Sequence, residues 1–189
     1  MKLIKFRNHT LKILNNGTIF WPKKSISIVA DLHLEKSSFF AKHGFYIPPY
    51  DSYETLLNLK KNKKENNIKI LIFLGDLFHD NEGYERLGQK TKLIFNEIIK
   101  KYEIIFIRGN HDSLLTIPNV KSHQNILIDG ISFSHEPRNT LYEICGHLHP
   151  KISLSINGRN ISKKCFIVSK YKIFMPAFGC YTGGLNIKS

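Results

Sequence analysis

The stretch Ile68-Lys69-Ile70-Leu71-Ile72-Phe73-Leu74-Gly75-Asp76 drives an almost unbroken apolar run into a glycine and a carboxylate. A run so short, apolar and β-branched reads as a strand covered on both faces, as in a parallel sheet. Two similar runs flank it, Ile26 to Ala30 and Ile104 to Ile107. Helical patterns lie between them. Asp51 follows Pro48 and Pro49 and can cap a helix through about Asn66, with Tyr53, Leu56, Leu57 and Lys60 at helical spacing. Leu87 to Lys101 repeats the pattern with Leu93, Ile94 and Ile98. Strand, helix, strand, helix, strand implies parallel pairing through crossovers. From Asn125 onward the strands shorten and turn signals crowd in. Asp129-Gly130 joins Ile126 to Ile128 with Ile131 to Ser134, and Asn157-Gly158 joins Ile152 to Ile156 with a later strand near Cys165 to Val168. The expectation is a mixed α/β (α+β) layer structure with two sheets, formed as one domain over residues 1–189 with no internal repeat or linker.

Composition bounds what such a fold can do. With 189 residues, 42% apolar and 12% aromatic, the chain can build a real core, which excludes disorder and a stapled mini-protein. The 28 Lys and Arg against 15 Asp and Glu give +13, which invites a polyanionic partner. Lysine supplies 23 of those cations, however, beside 26 Ile and 16 Asn, a joint bias that compositional drift also produces. The longest apolar run, Ile70 to Leu74, is five residues, where a membrane span needs roughly 20. Residues 1–14 alternate charge with apolar side chains, unlike a signal peptide. Cys145, Cys165 and Cys180 are odd in number and form no CxxC pair, against a disulfide framework or a cysteine zinc site. Cytoplasmic residence without membrane partners is the expectation.

The chemistry lies where the strands end. The first run leads into Asp31-Leu32-His33, the second into Gly75-Asp76, and the third into Gly109-Asn110-His111-Asp112. Later come Ser134-His135-Glu136 and Cys145-Gly146-His147-Leu148-His149. Open α/β sheets gather ligands beyond the carboxyl ends of their strands, so these segments can meet on one rim. In extended chain, residues i and i+2 face the same way, so Asp31 with His33, and His147 with His149, are read as paired donors. Carboxylate, imidazole and amide oxygen suit Mn, Fe or Zn. Asp31, His33, Asp76, Asn110, His135, His147 and His149 make seven donors, too many for one ion. Two divalent ions sharing a carboxylate fit that number, and such a pair can hold a hydroxide for in-line attack on phosphorus.

These five blocks, in this order, resemble the calcineurin-like metallophosphoesterases, whose pattern is D-x-H, GD, GNH[ED], H and GHxH. The resemblance implies a four-layer sandwich, two mixed sheets between helices. It implies that Asp31, His33 and His149 hold a first metal, that Asn110, His135 and His147 hold a second, and that Asp76 bridges them. It further implies that His111 donates to the phosphate or the leaving oxygen, oriented by Asp112. Flanking blocks narrow the match. Asp31 to Lys36 (DLHLEK), Ser38 to Ala41 (SFFA), Pro48 to Asp51 (PPYD), His135-Glu136-Pro137, Pro176 to Gly179 (PAFG) and Tyr181 to Leu185 (YTGGL) resemble the bacterial ligase-associated DNA-damage-response phosphoesterases, the PdeM family. That resemblance implies a Mn2+-dependent phosphodiesterase of endonuclease type, partnered with DNA, an ATP-dependent DNA ligase and a helicase-exonuclease. Only 24 positions separate His111 from His135, which leaves no room for a capping domain.

Around these blocks, Arg108 can clamp a phosphate with its guanidinium or form a strand-end salt bridge. His79 and Asp80 are close enough to line the cleft but read as loop structure. Lys36, Lys42, His43 and Arg138 form either a basic approach or a solvated surface. Lys60, Lys61, Lys63 and Lys64 suit a helix C-terminus. Phe39, Phe40, Phe45 and Tyr46 read as core packing, with base stacking as the other use. Thr182-Gly183-Gly184 either brings backbone to the rim or makes a turn. Three functions compete: a two-metal phosphodiesterase on DNA, a phosphoesterase on a nucleotide or other small ester, and a non-catalytic metal-bound docking module.

Overall fold

The apolar run at the middle of the chain becomes the centre of a seven-stranded sheet in the order β1 (Lys2–Phe6), β2 (His9–Ile13), β3 (Ile19–Trp21), β4 (Ile26–Val29), β5 (Ile70–Leu74), β6 (Glu103–Ile107) and β7 (Ser122–His123). The structure, a computed structural model, describes residues 1–61, 67–157 and 159–187. Strands β4 to β7 run parallel, as the alternation with helices requires, whereas β1 to β4 are antiparallel neighbours. The first three strands were not anticipated. Their signal was present: Arg7 and Asn8 form a two-residue turn with φ of 42° and 62°, the geometry that matches the twist of a hairpin.

Period-two alternation sends the central strands to two cores. Leu71 and Phe73 join Val29 and Phe106 under Leu56, Leu59, Phe95 and Ile98. The last four belong to α2 (Asp51–Lys61) and α4 (Gln89–Lys101), which follow α1 (Lys36–Lys42) and α3 (Gly83–Arg86) respectively. Ile72 and Leu74 face the other way, onto Ile131, Phe133, Ile144, Ile173 and Met175. Those residues come from the second half of the chain, comprising β8 (Asn125–Ile128), β9 (Ile131–Ser134), β10 (Glu143–Cys145), β11 (Lys151–Ile156), β12 (Arg159–Lys164), β13 (Ile167–Val168), β14 (Lys172–Phe174) and β15 (Asn186–Ile187). A five-stranded sheet runs β13-β14-β10-β9-β8, and a three-stranded sheet runs β12-β11-β15. Mixed sheets packed with helices bear out the expected class, and among the described residues every α-helix precedes β6.

Two local expectations are corrected. The strand after Asn157 is β12, paired with β11 from Ile156↔Arg159 onward, while Ile167–Val168 pairs with β14 in the other sheet. Arg159–Lys164 escaped notice because it is polar and almost wholly exposed, so it lacks an apolar face to reveal it. Asp51 does begin α2, but its carboxylate accepts from the backbone N–H (3.1 Å) and hydroxyl of Ser37, in the first turn of α1. Ser52 Oγ likewise accepts the Glu35 N–H at 2.7 Å. The start of α2 thus secures the segment just beyond His33. The basic last turn of α2 is as expected for Lys60 and Lys61, with Lys60 paired to Glu97 at 2.6 Å. Residues 62–66 and Gly158, which include Lys63 and Lys64, lie outside the described residues.

Candidate metal centre

Parallel pairing continues past the ends of β4 and β5. Asp31 N–H donates to Gly75 O (3.2 Å), His33 N–H to Asp76 O (2.9 Å), Leu34 N–H to Leu77 O (3.0 Å) and His79 N–H to Leu34 O (2.9 Å). The second sheet delivers its residues to the same rim, where Gly146 N–H donates to His135 O at 3.0 Å and His147 N–H to Asp31 Oδ2 at 3.1 Å. These segments are not extended. Asp31, His33, Asp76, His147 and His149 have φ of 54°, 45°, 45°, 66° and 45°, left-handed conformations that cost non-glycine residues about 1–3 kcal/mol each. The paired donors therefore converge through left-handed residues at alternate positions, held by cross-strand hydrogen bonds, and not by the strand geometry expected.

All seven donors meet. One ligand atom each from Asp31, His33, Asp76 and His149 lies within 4.8 Å of the others, and the same holds for Asp76, His135 and His147. His33 Nε2 is 3.3 Å from His149 Nε2 and 3.6 Å from Asp76 Oδ2, and His149 Nε2 is 3.1 Å from Asp31 Oδ1. On the other side, Asn110 Oδ1 is 2.9 Å from His135 Nε2 and 3.1 Å from His147 Nδ1, while His135 Nε2 is 3.3 Å from Asp76 Oδ2. Donors about 2.1 Å from a shared ion stand roughly 3–3.5 Å apart, so these spacings fit two cation sites with Asp76 common to both.

Burial sharpens that fit. Asp31 is 0% exposed, Asp76 2%, His135 3% and His33 5%, and buried carboxylates demand compensating charge. Burial drives His33 down to about 2 despite the opposing pull of Asp76, so its ring is neutral and carries a lone pair. Burial works against ionised Asp76, but His135's hydrogen bond and charge, with the His111 N–H, hold it at about 2. His135 is pushed up to about 9, its burial outweighed by the Asp76 hydrogen bond and the charges of Asp31 and Asp76. A divalent cation answers the same electrostatic demand as that proton. Gly109 is required here because a Cβ on it would stand 2.1 Å from Asp76 Oδ1.

The sequence model of the calcineurin-like phosphoesterases matches residues 24–178. The chain belongs to that family. It is a metal-dependent hydrolase of phosphoester bonds, with His and Asp clusters in place to bind the metal. The crystal structure of the nuclease MPE of Pseudomonas putida is similar over 99% of this chain and 91% of that one, with a TM-score of 0.81 and 26% identity. A predicted phosphoesterase of Streptococcus pneumoniae overlaps 80% of this chain and 70% of its own, at 12% identity and a TM-score of 0.33, too loosely to add to the argument. No curated protein matches the sequence.

In this phosphoesterase the surroundings of the centre divide clearly. His111 N–H donates to Asp76 Oδ1 (3.0 Å), and its Nδ1 is 3.0 Å from His79 O. The Asp112 carboxylate makes no hydrogen bond to that ring among the described residues. Its Oδ2 accepts the N–H groups of Leu77 (2.6 Å) and Phe78 (3.2 Å), and its Oδ1 accepts the Gly109 N–H (2.8 Å). Burial, with the nearby Asp76 charge, pushes its carboxyl up to about 6 against the pull of those donors.

His79, read from sequence as loop structure, belongs to the cluster. Its ring is stacked on His111 with centroids 4.8 Å apart, and its Nδ1 is 3.3 Å from His33 Nδ1. The signal was the run after Asp76: a bridge between Leu34 and Phe78 carries the strand pairing one step further and delivers His79 to His33. Asp80 stays structural, clamped by Arg86 at 2.9 and 2.7 Å.

Arg108 donates from Nε to Ser122 Oγ at 2.9 Å, which fixes its guanidinium beside a cleft. Phe39 and Phe40 pack against His79, with centroids at 4.8 and 5.6 Å. Phe45 and Tyr46 are not core: they are 66% and 85% exposed, on the loop between α1 and α2. Lys42 pairs with Glu82 at 2.7 Å on the surface, and His43 Nδ1 lies 2.9 Å from Phe39 O. Thr182-Gly183-Gly184 does bring backbone to the rim, since a Cβ on Gly184 would stand 2.1 Å from His149 O. Among the described residues, no helix is long and apolar enough to cross a membrane.

Proposed function

We propose that this phosphoesterase is a two-cation phosphodiesterase acting on DNA, either as an endonuclease or in processing DNA ends during repair. The observation that carries the reading is the sharing of Asp76 between two clusters of donors. Asp31, His33 and His149 would hold one cation and Asn110, His135 and His147 the other, with Asp76 shared. Mn2+ is the preferred ion, with Fe and Zn also suited to these donors. A bound pair supplies Lewis acidity, lowering the pKa of water and offsetting charge that develops on the phosphoryl oxygens. The chain's own residues do the rest. Carboxylates and imidazoles would fix where the cations lie. His111, anchored by an Nδ1–H donated to His79 O, keeps Nε2 for the substrate, and as the doubly protonated imidazolium it would give the Nε2 proton to the leaving oxygen and become the neutral ring. Arg108 stands at the rim as a phosphate donor.

The diester and DNA parts of the proposal are supported by the likeness to a protein described as a nuclease, by the net charge of +13, and by the flanking sequence blocks. Those blocks also support an ATP-dependent DNA ligase and a helicase-exonuclease as partners, and three cysteines without a CxxC pair fit residence in the cytoplasm. The test sets end-labelled single- and double-stranded DNA beside small phosphodiesters across a panel of metals. Cleavage of DNA whose binding weakens steeply between low and moderate salt supports the reading, because polyanion binding releases counterions. Hydrolysis confined to small esters and indifferent to salt overturns the DNA part. His111→Ala is expected to lower kcat by about 10²-fold while calorimetric titration finds cation binding unchanged. Loss of cation binding in that variant contradicts its assignment as a proton donor.

A further inference from the structure

A cleft of about 370 Å³ is lined by Asn110 and His135 of the second cluster together with Arg108, Gln124, Glu136 and Arg138. The segment that carries Arg138 is braced. Buried Glu143, 0% exposed, accepts the Arg138 N–H at 3.0 and 3.1 Å and Ser134 Oγ at 2.8 Å. Lys172 Nζ spans Glu143 Oε2 (2.8 Å) and the Arg138 carbonyl. Glu143 is thereby saturated by backbone, hydroxyl and ammonium donors, and the Arg138 guanidinium has no bonding partner among the described residues. The main chain of Arg138 is pinned while its side chain is left free to bind.

We propose that this cleft holds the phosphate next to the scissile one on a nucleic-acid strand, with Arg138 as its principal donor. The inference rests on the phosphodiesterase reading above and adds a substrate determinant to it. A phosphate undergoing hydrolysis belongs at the two clusters, and the cleft that Asn110 and His135 line is lined by Arg138 as well. Among the cleft's Arg and Glu side chains two arginines stand against Glu136, and recognition comes from the directed fork of a guanidinium more than from bulk field. A small diester has no second phosphate to place there, whereas a strand offers one at every step.

The test compares the native protein, Arg138→Ala and Arg138→Lys, each loaded with Mn2+, on bis(4-nitrophenyl) phosphate and on thymidine dinucleotides with and without a terminal 5′ or 3′ phosphate. The native protein is expected to favour one phosphorylated dinucleotide over the unphosphorylated one by about tenfold in kcat/KM. Arg138→Ala brings that ratio to near unity, and Arg138→Lys restores part of it. A second readout needs no turnover. With cations chelated, the salt slope of oligothymidylate binding falls by about 0.7 in Arg138→Ala, the change for one single-strand phosphate contact. A preference kept intact in Arg138→Ala, a loss of equal factor on every substrate, or no preference in the native protein overturns the inference and leaves the phosphodiesterase reading standing. Absence of hydrolysis of any of these diesters overturns both.

Discussion

Asp76→Ala is expected to lower kcat/KM for phosphodiester hydrolysis by about 10³-fold or more, and to cut cation binding from two per chain to one or none. Among the described residues Asp76 is the only donor common to both clusters, and it is 2% exposed. Its Oδ2 faces His33 Nε2 at 3.6 Å and His135 Nε2 at 3.3 Å, while Oδ1 takes the His111 N–H at 3.0 Å. One truncation therefore removes the shared carboxylate, strands two buried imidazoles and frees the backbone that places His111. Asp76→Asn separates these effects, because the amide keeps the shape and can still accept the His111 N–H but lacks the charge. It should hold its melting temperature better than the alanine variant and remain within about tenfold of it in rate. Calorimetric titration with Mn2+ beside steady-state kinetics decides the matter. Undiminished turnover in Asp76→Ala removes the proposed centre altogether.

The same residues show what could be read from sequence. Parallel β4, β5 and β6 were legible because strands covered on both faces leave unbroken apolar runs, and their carboxyl ends gave the ligand blocks directly. The seven donors followed from residue type and position alone. Three features were not legible, each for a physical reason. The left-handed backbone at Asp31, His33, Asp76, His147 and His149 is imposed by pairing between distant segments, to which local propensity is blind. His79 is a single imidazole in a loop, and the pairing of Leu34 with Leu77, Phe78 and His79 makes it a neighbour of His33. Strand β12 buries too little for periodicity to find. Asp112 is the most instructive case, since the family resemblance gave it a role at His111 that its hydrogen bonds do not serve.

That reassignment has its own consequence. Asp112→Ala is expected to lose about 3–4 kcal/mol of stability, because it leaves the N–H groups of Leu77, Phe78 and Gly109 without their acceptor in a site that is 0% exposed. For a chain of this size that lowers the melting temperature by about 10 °C. Leu77 and Phe78 follow the bridging Asp76, and Gly109 precedes Asn110, so one carboxylate ties together the loops that carry donors to both cations. Asp112→Asn keeps the volume but turns an N–H group toward one of the three donors, so it should fall between the native protein and the alanine variant. His111→Ala supplies the contrast. Its ring is anchored to His79 O and not to Asp112, so that variant should lose rate with its melting temperature moved by no more than about 2 °C. If Asp112 instead acted by orienting His111, the two alanine variants would share one signature, reduced kcat at native stability. Melting curves and kinetics on both variants separate a brace for the loops from an orienter of the proton donor, and a native melting temperature for Asp112→Ala would return Asp112 to the second role.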